Sequence, residues 1–345
     1  MSRRRWLIVF ASFAAVIGVS VWLVVISWPE GGPPQHLPLS AHALALAAAL
    51  TELVARVLKV KFAARSLDVP LRMTTSLRVC LAGDFGSAIT PARAGTEPAR
   101  YFILSQAGVK PVGALILLFS ELFLEALSLG VIVAAAAIVF SGQGALVAGL
   151  TGVAGAYAAG VLAIAIAGGL LARRNAAGPP PRWVRAMGIH AGHWRAVQRA
   201  LRQLRTGMGG IRKARPVPLL AALVFSVIHV LLRLAALPII VLAMAPDVDL
   251  AQLVLWPLVI LYGGAVAPAP GGGGLMEVAF KAVLGGVIPA AAFVTSLVWW
   301  RFYSFYIYLL LGALVAGNSV MAALRTDPAS TSGPDAASRE GVATA

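Results

Sequence analysis

Uncharged apolar runs long enough to cross a bilayer are what most restrict this chain. From Trp6 to Trp28 no charged residue interrupts the sequence, and about 20 apolar residues cross ~30 Å of hydrocarbon as a helix. Leu115 to Leu171 is apolar almost throughout, interrupted by Glu121, Glu125 and the small polar patch Ser141-Gly142-Gln143-Gly144. Inside a bilayer each backbone polar group must find its partner within the protein, which leaves helices and closed barrels. The alternating strands of about ten residues that a barrel needs are absent. Only 12% of residues are charged and 59% are hydrophobic, about half the charged share of a soluble domain. The chain therefore reads as an all-α integral membrane protein.

The formal charge of +15 does not point to nucleic acid, because Lys and Arg cluster at the ends of apolar runs, as retention of basic loops in the cytoplasm produces. Arg3-Arg4-Arg5 precede the first run. Lys59, Lys61, Arg65, Arg72 and Arg78 follow the second, and a dense group lies between Arg173 and Arg215. The candidate outer loops have no basic residue: Pro29 to Pro38 carries Glu30, Ser141 to Gly144 is neutral, and Pro246 to Asp249 carries two aspartates. Both termini are expected on the cytoplasmic side of the cell membrane. The first run is longer than a signal-peptide core and ends in Trp28-Pro29 without a small-x-small site, so it is expected to stay as a helix. The single cysteine, Cys80, forms no internal disulfide and gives no metal-ligand spacing.

Both termini on one side require an even number of crossings. Helices near 6–28, 39–58, 111–140, 145–171, 217–245 and 291–322 supply six. Two segments remain, 72–109 and 250–290, and each must start and finish on the same side. Two full crossings in each would also satisfy parity, giving up to ten. The apolar halves are short and broken by Gly and Pro, which favours a polytopic helical bundle of six full spans with two re-entrant broken hairpins, one dipping from each side. The membrane domain is expected over 1–325, with a basic cytoplasmic loop at 173–216 and a disordered tail at 326–345 rich in Ser, Ala, Pro and Gly.

The two broken segments share a scheme of apolar half, Pro/Gly break, then glutamate. The first break carries Pro91, Arg93, Gly95, Glu97 and Arg100; the second carries Pro270, Gly272, Gly274 and Glu277, followed by Lys281. Proline removes a backbone donor, and glycine permits conformations other residues resist. Corresponding Gly/Pro-interrupted segments in the two halves of a chain point to a transporter's binding site, and their opposite sides suggest an inverted repeat. Ordinary interfacial turns would use the same residues.

Further charges sit inside apolar spans. Glu52 and Arg56 share a helix face, as do Glu121 and Glu125, while Arg233 and Arg301 lie within the sixth and last runs. Such charges are normally paired or face a cavity, and Glu121 and Glu125 are expected to meet Arg233, Arg301 or Arg93 across helices. Structural helix-packing salt bridges would account for any one pair. The set as a whole suggests a polar cavity, and its arginines favour an anionic group such as a lipid phosphate. Within the long loop, Trp183, Met187, His190, Trp194, Val197, Leu201 and Leu204 repeat at helical spacing, with arginines mostly off that stripe. This amphipathic basic helix would lie on anionic headgroups or dock on another subunit.

Pro91 to Arg100 followed by Gly108-Val109, then Pro268 to Gly274 with Glu277, and finally Arg301 in an aromatic helix, together resemble the lysylphosphatidylglycerol synthase transmembrane, or flippase-like, family over roughly residues 40 to 322. The resemblance implies handling or translocation of a polar lipid, with Arg93, Glu97, Arg100 and Glu277 as the residues of interest. The chain departs from the family's pattern at Leu122, Glu125 and Thr96. The tail from Thr326 is too short for the aminoacyl-transferase domain of the full-length synthases, which is therefore not expected.

The leading expectation is a lipid flippase, not an enzyme, with a headgroup bound by Arg93, Glu97, Arg100, Glu121, Glu125, Glu277 and Arg301. A membrane phospholipid or other polar lipid is the expected partner, and a homo-oligomer is compatible with this reading. No cofactor, metal or catalytic residue is expected: there is no phosphate-binding P-loop, Gly-x-Ser-x-Gly or His-Glu-x-x-His. The alternatives are a glycosyltransferase-like membrane enzyme using Asp247-Val248-Asp249 to bind a metal and sugar phosphate, or an accessory subunit recruiting a cytoplasmic enzyme through the Arg-rich loop.

Overall fold

The computed structural model describes residues 33–90, 93–142, 144–173, 215–263 and 274–325, together with Gly18, Val21, Trp22, Val25 and Ile26 of the first apolar run. The expectations for most of the first helix, for the basic loop and its amphipathic stripe, for the Pro268–Gly273 break and for the tail lie outside the described residues. Within them the chain is helical and contains no strand.

The helices are α1 (Leu39–Ser66), α2 (Met73–Ala88), α3 (Thr96–Gln106), α4 (Pro111–Val139), α5 (Gly144–Arg173), α6 (Pro216–Leu242), α7 (Leu250–Gly263), α8 (Leu275–Leu284), α9 (Ala290–Arg301) and α10 (Ile307–Arg325). A π-helical turn, Phe302–Tyr306, joins α9 to α10. Among the described residues, three stretches are long and apolar enough to cross a membrane: Pro111–Val139, Pro216–Leu242 and Ala290–Ser319. Proline opens both α4 and α6, where its missing N–H has no helical partner to lose.

One boundary differs from the sequence expectation. The second run was expected to end near Leu58, but α1 continues through Lys59, Lys61 and Arg65 to Ser66. Lys59 is buried inside the bundle, so its charge did not mark a helix end.

Hydrogen bonds across helix termini define the two ends of the bundle. At one, Arg215 N donates to Ser66 O at 3.0 Å and the Arg215 side chain pairs with Asp68 at 2.8 Å. The end of α1, the start of α6 and the start of α4 beside Val69 therefore lie together. At the other, Gln35 N donates to Ala291 O at 2.8 Å, and Gln35 Nε2 reaches Met244 O at 3.2 Å. That end gathers the starts of α1 and α9 and the end of α6, next to Asp247 and Asp249. The central pair α1 and α6 is thus antiparallel.

The two broken segments are short antiparallel pairs that start and finish at one end. Arg78, early in α2, donates to Ser319 Oγ at 3.1 Å and Gln106 Oε1 at 3.5 Å, so α2 begins where α3 and α10 finish, at the basic end. The start of α7 and the residues after α8 meet around Asp249, Gln252, Gly286 and Pro289 at the acidic end. At 1.5 Å per residue α2 and α3 are about 24 and 16 Å long, and α7 and α8 about 21 and 15 Å. Each falls short of a ~30 Å hydrocarbon core.

Polarity is inverted relative to a soluble protein. Val131, Ile138, Leu220, Leu231, Leu310 and Leu314 are exposed, whereas Glu52, Arg56, Lys59, Glu121, Glu277 and Arg301 are buried. Apolar surface on that scale belongs against lipid. Close backbone packing holds the interior: a Cβ on Gly312 of α10 would stand 2.6 Å from Leu81 O of α2.

Candidate functional site

The first break is organised by two threonines and two glycines. Thr90 Oγ1 donates to Gly86 O at 2.7 Å and accepts from Gly95 N at 2.7 Å, while Thr96 Oγ1 donates to Arg93 O at 2.8 Å. Gly86 and Gly95 lie back to back, with no room for a side chain on either: a Cβ on Gly86 would be 2.5 Å from Gly95 O. At the turn Arg93 has φ +55°, a left-handed conformation that costs a non-glycine residue roughly 1–2 kcal/mol. Strain of this kind persists only where surrounding structure holds it, and it clusters at functional sites.

Behind this turn lies a cavity of about 170 Å³ walled by α1, α2, α3, α4, α6 and the π turn. Five basic side chains line it, Arg56, Lys59, Arg93, Arg100 and Arg233, with four acids, Asp84, Glu97, Glu121 and Glu125. Measured along α4 and α6 from their basic ends, Glu121 stands about 15 Å in, His229 about 20 Å and Arg233 about 25 Å. Against a ~30 Å core that starts at those ends, Glu121 stands at the middle and Arg233 toward the far face.

Most of these charges are committed to one another. Arg56 Nη1 contacts both Asp84 oxygens at 2.8 and 2.9 Å, and its Nε reaches Glu52 at 3.0 Å. Lys59 pairs with Glu125 at 3.6 Å. Arg100 bonds Glu121 through Nη2 and Glu97 through Nη1, the latter at 3.2 Å. The carboxylates grade from open to enclosed: the Glu97 side chain is 54% exposed, that of Glu121 2%. Two guanidinium groups stand apart. Arg93 and Arg233 form no ion pair among the described residues; Arg233 donates to Ser304 O at 3.2 Å, and its guanidinium lies 5.9 Å from the centre of the Tyr308 ring. The π turn supplies that carbonyl and also places Phe305 in the cavity wall.

The structure brings Arg93, Glu97, Arg100, Glu121 and Glu125 into this one cavity. Glu277 and Arg301 are not among its lining residues. They form their own buried pair at 2.9 Å, with Met276 Sδ 3.3 Å from Arg301 Nη1 and the guanidinium 4.8 Å from the centre of the Phe305 ring. The pair therefore sits behind the cavity wall. The expected partners of the α4 glutamates are corrected. Glu121 makes its ion pair with Arg100 of α3 and Glu125 with Lys59 of α1, the basic groups nearest to them, while Arg93 and Arg233 line the same cavity without contacting either. Sequence reasoning did not assign Asp84, Lys59 or His229 to the site, and Lys59 had been counted with the loop charges. Its spacing of three from Arg56 was the available signal. Of the backbone-break residues, Gly95 and Gly274 are described, Gly274 with φ +78° at the start of α8, whereas Pro91, Pro270 and Gly272 lie outside the described residues. Asp249 Oδ1 accepts from Ala251 N at 2.9 Å and so caps α7.

A helical bundle with exposed apolar faces, spans long enough to cross a bilayer and a charged cavity inside it defines a membrane protein. Sequence comparison agrees with that class. The chain belongs to the family described as the lysylphosphatidylglycerol synthase TM region, which it matches over residues 6–312. No individual curated protein matches it.

Proposed function

We propose that this protein moves the headgroup of an anionic or zwitterionic membrane lipid through the cavity between α1, α2–α3, α4 and α6. The observation that carries the reading is the pair Arg93 and Arg233, two guanidinium groups in the cavity wall that form no ion pair among the described residues. Guanidinium forks suit phosphate oxygens, and an arginine that forms no ion pair of its own can turn its fork to an incoming oxyanion. The cavity volume of about 170 Å³ falls below the ~300–1,000 Å³ of sites that engulf drug-sized molecules. A headgroup fits it while the acyl chains stay in lipid.

In this reading α2–α3 and α7–α8 are re-entrant hairpins that dip from the cytoplasmic and outer faces of the cell membrane. Their opposed orientation is the remnant of an inverted repeat, and both termini are cytoplasmic. Support comes from the short helices and from the basic and acidic ends of the bundle. The role is transport and not catalysis: the Asp247–Asp249 loop contributes a helix cap. Membrane-family membership supports a lipid-related role.

The test is transbilayer movement of labelled phosphatidylglycerol and phosphatidylethanolamine in proteoliposomes. Wild type should move at least one above protein-free vesicles. Arg93→Ala and Arg233→Ala should each lose the movement, while Arg78→Ala, at the basic end, should keep it. Equal movement in all four proteins would sink the proposal.

A further inference from the structure

Charges around the cavity balance. Against the five basic residues that line it stand four lining acids and Glu52, which lies beneath Arg56 as its second carboxylate. A monoanionic phosphodiester entering this neutral set would leave one negative charge uncompensated within hydrocarbon, where charges are tolerated only when paired. The arginines cannot gain charge, because they are already protonated. Each carboxylate and Lys59 is engaged in an ion pair.

One lining base stands outside these pairs. His229 on α6 is 2% exposed, and neither ring nitrogen makes a hydrogen bond among the described residues. Its Nδ1 lies 3.7 Å from Glu52 Oε1, the oxygen that also faces Arg56 Nε at 3.0 Å. Imidazole is the side chain whose charge changes near neutral pH, and a protonated ring could donate to that oxygen. The groups facing it are Glu52, Arg56 and Lys59 from α1, Glu125 from α4 and Arg233 one turn along α6, with Tyr308 of α10 on the same wall. Tyr262 of α7 lies within the field of Glu125 and Arg233.

We infer that His229 is the proton-binding site of this cavity, taking up one proton when an anionic headgroup enters and releasing it when the headgroup leaves. The proton comes from hydronium at the open side of the cavity near Glu97. A ring-nitrogen lone pair forms the new N–H bond and water is released, so one negative and one positive charge enter together. The inference rests on the cavity's taking a lipid headgroup, and it makes the movement proton-coupled for anionic lipids. A zwitterionic headgroup brings no net charge and needs no proton.

The experiment uses full-length protein purified in a neutral maltoside detergent. Dihexanoyl phosphatidylglycerol is added in weak buffer at pH 7.5, binding is measured by calorimetry, and proton uptake is followed with an indicator dye. Wild type should take up about one proton per lipid bound, and its affinity should rise by up to about tenfold per pH unit as pH falls from 8 toward 6. His229→Gln should bind without uptake and lose the pH dependence. Dihexanoyl phosphatidylcholine should bind with no uptake. Binding of phosphatidylglycerol to wild type with neither uptake nor pH dependence, or equal uptake with both lipids, overturns the inference alone. Binding of neither lipid overturns it together with the headgroup reading of the cavity. The wild-type pH series stands even if His229→Gln fails to fold.

Discussion

The two short helix pairs look alike in sequence and do different work in the structure. Both run from an apolar half through a Pro/Gly break to a glutamate. In α2–α3 the charges after the break turn into the cavity, with Arg93 unpaired and Glu97 at the mouth. In α7–α8 the corresponding Glu277 is 2% exposed and locked to Arg301 of α9. The first pair presents charge to whatever enters, while the second fastens the scaffold behind it. A shared motif thus fixes where a charge can stand, and the helix it faces decides whether that charge is available.

This contrast can be broken by experiment. The largest effect on folding is expected at the anchoring pair. Glu277→Ala leaves Arg301 buried without its carboxylate, a loss of about 3–5 kcal/mol, visible as collapse of the folded yield or of Tm in detergent; a near-normal Tm would remove the scaffold role. Next comes Gly86→Ala, whose Cβ meets the Gly95 carbonyl. Overpacking of about 1–3 kcal/mol should lower Tm and misplace Arg93, abolishing lipid movement. Arg93→Ala should separate the two regions most sharply. Relief of the left-handed strain keeps its stability change within about 1–2 kcal/mol, yet transport should fall more than about tenfold, the equivalent of 1.4 kcal/mol or more. If Glu277→Ala spared folding and Arg93→Ala destroyed it, the assignment of roles would be reversed. Smallest is Glu97→Gln. Its half-exposed pair with Arg100 contributes about 0–1 kcal/mol, so Tm should hardly move, and Arg100 should remain held by Glu121.

Much of the architecture was legible because hydrophobicity and charge follow the bilayer. Basic residues beside apolar runs gave the two ends of the bundle, and the parity argument made both broken segments start and finish on one side, as α2–α3 and α7–α8 do. The gathering of Arg93, Glu97, Arg100, Glu121 and Glu125 followed from the cost of leaving each alone in hydrocarbon. Pairing was not legible, because it depends on how helices rotate about their axes when they pack. Glu125 could have faced any neighbour, and it met Lys59, a residue that sequence position alone places in a loop. His229 carried no signal either. A lone histidine in the apolar run Val224–Leu232 gains meaning only when Glu52 arrives from α1. The π turn likewise leaves no mark in Phe302–Tyr306 that separates it from an ordinary aromatic helix.

The contact between Gly312 and the Leu81 carbonyl has a mechanical consequence. Backbone rests on backbone there, with Phe85 Cβ beside it, so the packing of α10 on α2 has no room for one added carbon. α9, by contrast, is tied through Arg301 to Glu277 of the other pair. The π turn joins α9 to α10, and its Ser304 carbonyl accepts a hydrogen bond from Arg233. A change of angle between α9 and α10 at that turn would therefore reach Arg233 through the Ser304 carbonyl.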